Sequence, residues 1–203
     1  MTAAFDLFRY PQQPHRRRHG PRGYANYQQY KPWLRDEFQF RCVYCLCRER
    51  WFPSGEGSFG VDHVQPKLAF PEKLLEYDNL VYACFQCNSA KQDLYPVPDP
   101  CKEPYGRHVA VDDDGRIEGL TSVGLELIRV CGLDRPRLTE FRARLIQVAS
   151  HAAQHDDEVA RKAYQSWLVY PANLPQLSKL RPPRGNRRPL SRVNAQTLCL
   201  DLG

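Results

Sequence analysis

Apolar residues change their spacing several times along this chain, and the changes divide it. Up to about residue 30 no period appears: Pro, Gln, Arg, Gly and Tyr alternate without a stripe that a core would accept. Pro32 suits a first helical turn, and Trp33, Phe38 and Phe40 anchor a predicted helix through Phe40. Residues 46–52 read as extended, 53–57 (Pro-Ser-Gly-Glu-Gly) as a turn, and 58–63 as a second short strand. Pro66 and Pro71 keep the next stretch irregular, apart from a helical turn near Lys73–Glu76. Asn79–Ala83 is β-prone, and a helix follows from Cys84 to about Asp93, stopped by Pro96, Pro98 and Pro100.

The second half is more regular. Residues 108–111 and 116–119 flank Asp112-Asp-Asp-Gly115, a hairpin signal whose acids lack the spacing of a calcium loop. Ser122 caps a predicted helix burying Leu125, Leu127, Ile128 and Val130, which Gly132 ends. Asp134 and Pro136 open another, with Leu138, Phe141, Leu145 and Val148 on one face and Arg137, Arg142 and Arg144 on others. Asp156 caps a third, carrying Val159, Ala163 and Trp167 and closed by Pro171. The segments expected are an arm (1–30), a cysteine-framed unit (31–100), a hairpin with helices (101–170) and a Pro-rich tail (171–203).

Composition changes this picture in two places. The net charge is +6 in 203 residues, which is moderate, but its distribution is uneven. Arg16, Arg17, Arg18 and Arg22 crowd the front, and Lys179, Arg181, Arg184, Arg187, Arg188 and Arg192 the back. Basic ends on a nearly neutral middle suit a nucleic-acid partner, with solvated tails as the plain alternative. No apolar run is long enough for a membrane span, and the N-terminus lacks a signal-peptide pattern, so a cytoplasmic location is expected. There, Cys42-x-x-Cys45 and Cys84-x-x-Cys87 suit a structural Zn²⁺ better than disulfides. Cys47 reads as a strand residue, Cys131 and Cys199 as apolar fillers, and His15 and His19 as solvated. His151 and His155 stand four apart without the context of a metal motif.

Between and beside the cysteine pairs stand Asp62-His63, Asp78-Asn79-Leu80, Asn88 directly after Cys87, and Lys91. In this order the motifs C-V-Y-C, D-H, D-N-L and C-F-Q-C-N resemble the HNH endonuclease family over roughly residues 40–93. The third family position, often His, is Asn88 here, which keeps an oxygen donor. The resemblance implies an α+β fold: a small ββα-metal core stapled by a four-cysteine zinc site, with a mostly helical extension and basic tails. It also implies a division of labour. His63 is the general base, Asp62 and Asn88 hold a catalytic Mg²⁺ or Mn²⁺, and Asn79 braces the loop that carries His63. Lys91, with Arg16, Arg17, Arg18, Arg187 and Arg188, is assigned to phosphate contact.

The chemistry is consistent with those assignments. A neutral imidazole accepts a proton at pH 7, and carboxylate and amide oxygens suit a hard cation. The expected function is divalent-metal-dependent cleavage of DNA, with RNA open as a substrate and a defence, restriction or mobile-element setting suggested by loose resemblance. Two other readings stand beside it: a non-catalytic zinc-dependent nucleic-acid-binding module, and a nuclease subunit active only with a partner protein or as a homodimer.

Overall fold

The computed structural model describes residues 7–154 and 157–188. Its centre is a helix α1 (Lys31–Glu37), an antiparallel pair β1 (Phe59–His63) and β2 (Leu80–Cys84), and a helix α2 (Phe85–Lys91) that leaves β2 without a loop. Every residue of both strands is buried. The pair lacks in/out alternation because α1 packs on it as well as α2. Phe59 pairs with Cys84 and His63 with Leu80. The cysteine end and the histidine end therefore lie at opposite ends of the strands, about 13 Å apart at ~3.3 Å per residue. α2 starts at the cysteine end and runs back along β1. Gly60 permits this approach: a Cβ there would lie 3.0 Å from the Phe85 ring and 4.0 Å from Asn88 Nδ2. This mixed architecture with its four-cysteine cluster fits a small ββα-metal core.

Several expectations are corrected. Residues 46–52 are not a strand: Arg48 bridges Arg41, and Glu49–Trp51 form a 3-10 turn. α1 stops at Glu37 rather than Phe40, because Gln39 and Phe40 take positive φ (54° and 58°) and turn the chain into the cysteine knuckle. The front arm is built into the core. Leu7, Phe8 and Tyr10 are buried, and the Tyr10 hydroxyl donates to the Tyr44 carbonyl at 2.7 Å. His19 is buried and His15 half-buried, each beside a carboxylate rather than free in solvent. His15 Nε2 lies 2.9 Å from Glu37 Oε1, and His19 Nε2 lies 2.7 Å from Asp36 Oδ2. The two basic ends meet: Arg22 N–H donates to the Gly185 carbonyl and Arg187 N–H to the Gly20 carbonyl.

The second half forms the hairpin β3 (Val109–Val111) and β4 (Ile117–Gly119), then α3 (Ser122–Cys131), α4 (Pro136–Gln154) and α5 (Glu158–Leu168). Thr121, one residue before the expected cap, accepts from Gly124 N–H, and Gly132 closes α3 at φ 56°. Leu125 is 61% exposed instead of buried. The cap of α5 is Asp157; the expected Asp156, like His155, Arg192 and Cys199, lies outside the described residues. No helix among the described residues is long and apolar enough to cross a membrane.

Candidate metal centre and active site

Two tight turns deliver the four thiols. In the first, Cys42 N–H donates to the Cys47 carbonyl and Leu46 N–H to the Cys42 carbonyl, with Leu46 at φ 63°. In the second, α2 lifts Cys87 one turn above Cys84. The sulfurs of Cys42, Cys45, Cys84 and Cys87 all lie within 4.8 Å of one another, and Cys45 and Cys84 are 3.8 Å apart. Zn–S bonds of about 2.3 Å place tetrahedral sulfurs about 3.8 Å apart, so the cluster fits a zinc ion. Hydrogen bonds from Cys42, then Cys47, Cys84 and Cys87, hold the Cys45 thiol well below its usual range. Cys47 is buried beside the cluster but is not a member of it. Arg135, from the helical extension, brings Nη2 to 3.6 Å from the Cys87 sulfur and also donates to the Gly132 carbonyl.

At the far end of β1, His63 is buried. Its Nε2 lies 3.1 Å from the Leu74 carbonyl oxygen. A carbonyl only accepts, so Nε2 carries the proton and Nδ1 is the ring's acceptor. Burial pushes the imidazole below its ordinary value of 6.5, which keeps it neutral at pH 7. The Tyr27 ring packs edge-on against it, with centroids 4.8 Å apart and planes at 71°. The loop after His63 is pinned by Asn79. Asn79 Oδ1 accepts from Gln65 N–H at 2.9 Å, and Nδ2 donates to the Gln65 carbonyl at 3.0 Å and the Lys73 carbonyl at 3.3 Å.

Asp62 and Lys91 depart from expectation. Lys91 has no exposed surface. Its Nζ lies 3.3 Å from both Asp62 carboxylate oxygens and 2.8 Å from the His63 carbonyl. Asp62 Oδ2 also accepts from the Tyr44 hydroxyl at 2.6 Å, and Oδ1 from His63 N–H at 2.8 Å. A carboxylate has roughly four acceptor positions; three hydrogen bonds occupy both positions of Oδ1 and one of Oδ2, with the Lys91 ammonium beside the fourth. The assignment of Lys91 to phosphate is corrected: the side chain turns inward because a buried carboxylate awaits it. Asn88 and Asp62 are hard donors on the same side of β1, with Asn88 over Gly60. An ion shared by the two would meet a carboxylate already paired with the Lys91 ammonium and hydrogen-bonded by Tyr44 and His63.

The basic residues divide as well. Arg17 is sandwiched between Phe38 and Tyr77, 5.2 Å from each ring centroid, and donates to the Leu80 carbonyl at 2.7 Å. Arg18 pairs with Asp36 at 3.1 Å, and Arg187 and Arg188 pair with Asp78 at 2.8 and 3.0 Å. Only Arg16 of these five has no such partner among the described residues and stays exposed. Arg142, expected on an outer face of α4, is fully buried and donates to the Leu133 carbonyl. Nothing in the sequence marks Tyr44 or Arg135 as part of either site. Tyr27 stands out there only as an aromatic among basic residues, with stacking on the domain or on bases left open; it lies on His63.

Residues 42–94 match the family model described as HNH endonuclease, and the four-cysteine cluster is consistent with a zinc-bearing variant. The match takes in both cysteine pairs, Asp62, His63, Asn79, Asn88 and Lys91. No curated protein matches the chain.

Proposed function

We propose that this protein is an HNH-type endonuclease that hydrolyses phosphodiester bonds in DNA, with His63 as general base. What carries the reading is the fixed tautomer of His63: the Leu74 carbonyl holds the proton on Nε2, so Nδ1 receives one from water as that water attacks phosphorus. The phosphorus–oxygen bond opposite the attack breaks, and the leaving oxygen takes a proton from solvent to end as a hydroxyl, while His63 returns its own to solvent. Asn79 keeps the His63 loop in place, and Tyr27 limits how far the ring can turn. The cysteine cluster, at the other end of the strand pair, ties the two knuckles together; four thiolates leave no open position for water. A hard divalent ion meets an Asp62 carboxylate already neutralised by Lys91.

The same ion pair favours a second reading, a zinc-stabilised module that binds nucleic acid without cutting it. Supercoiled-plasmid nicking with Mg²⁺, Mn²⁺, Zn²⁺ and chelator separates the two. For the nuclease, His63→Ala keeps zinc and fold and lowers cleavage by about 10²–10⁴-fold. Undiminished cleavage by the variant removes His63 from the reaction, and no cleavage by the wild type in any metal selects the binding module.

A further inference from the structure

The arrangement around Asp62 disagrees with a free divalent-ion site, and the disagreement is built rather than incidental. Lys91 is fully buried, so its ammonium is not a surface group that happens to fall near an acid. The ammonium donates to Asp62 Oδ1 and to the His63 carbonyl, and stands 3.3 Å from Asp62 Oδ2. Tyr44 closes Oδ2 from another side. α2 aims the lysine there through its one-turn spacing from Asn88, since Asn88 sits over Gly60 and Asp62 is the next residue on that side of β1.

We infer that Lys91 is the resident cation of Asp62 in the DNA-free protein, and that a divalent ion competes with its ammonium for the same carboxylate. The inference rests on the endonuclease reading only for the ion's relevance; the competition itself is a property of the fold. Asp62 then contributes no affinity for Mn²⁺ while Lys91 is in place. Lys91 in turn joins the end of β1 to the end of α2 and holds the backbone of His63.

The test is Mn²⁺ binding by the full-length, zinc-loaded protein without DNA, read from the free-ion electron paramagnetic resonance signal. Wild type and Asp62→Asn should bind equally. Lys91→Met should bind about tenfold or more tightly than wild type, and the gain should vanish in the Asp62→Asn, Lys91→Met double variant. An affinity that drops tenfold in Asp62→Asn, or a folded Lys91→Met without gain, overturns the inference. Should the single variants fail to fold, paramagnetic broadening in the wild type decides. Asp62 and His63 amide signals that stay sharp at about 1 mM Mn²⁺, a concentration that fills any site of millimolar or better affinity at least halfway, support the inference, and signals that broaden at submillimolar Mn²⁺ overturn it. Failure of the endonuclease reading would appear in the His63→Ala cleavage assay, which none of these measurements uses.

Discussion

Asn79 grips Gln65 by both ends of its amide, accepting from the backbone N–H at 2.9 Å and donating to the carbonyl at 3.0 Å. Only an amide does both in one plane. Asn79→Asp turns the donor toward the Gln65 and Lys73 carbonyls into a third acceptor. We expect Asn79→Ala to lose about 1–3 kcal/mol in urea unfolding, Asn79→Asp to lose no less, and both to nick plasmid more slowly than wild type. Unchanged stability and unchanged nicking would mean that the brace holds nothing.

Arg135 should tune the zinc centre. Four thiolates around Zn²⁺ carry net negative charge, and the guanidinium 3.6 Å from Cys87 offsets part of it. Arg135→Met should weaken zinc retention about 10–100-fold, measured as release to a colorimetric chelator. Equal release rates would show the contact to be idle.

Gln92 follows Lys91 at φ 48°, ψ −128°, a conformation that glycine takes freely and a side chain resists. Gln92→Gly should raise stability by about 1 kcal/mol, or about 2–4 °C in Tm. A lower Tm would show that the Gln92 side chain contributes more than its backbone costs.

Acid should loosen the front arm through Glu37. Burial alone would raise its carboxyl, but hydrogen bonds from His15 and the Arg18 backbone, with the charge of Arg17, bring it down to about 2. A folded value below the ordinary 4.5 means the stabilisation is complete above pH 4.5 and is lost as pH falls from there toward 2. The linkage amounts to about 3 kcal/mol. Glu37→Gln should flatten the pH dependence of unfolding in that window and speed tryptic cleavage at Arg16–Arg18. An unchanged pH slope would contradict the assignment.

The cysteine spacing, the Asp-Gly turn and the helical periods were legible because each is written in contiguous residues, where turn chemistry and side-chain period are set locally. Thus the strand ending at His63, the helix after Cys84 and the hairpin at Asp112–Gly115 emerge from sequence within a residue or two. Asn79 was readable as a brace from residue type and order, but its partner, Gln65, was not. What tertiary structure alone decided is the destination of charge. Lys91, Arg17, Arg142 and the two arm histidines all read as solvated or phosphate-facing. A long basic side chain is placed by whichever acceptor the fold leaves unpaired, and for Lys91 that acceptor is Asp62, 29 residues away. Sequence named the donors of the site; the packing of α2 on β1 settled which of them face one another.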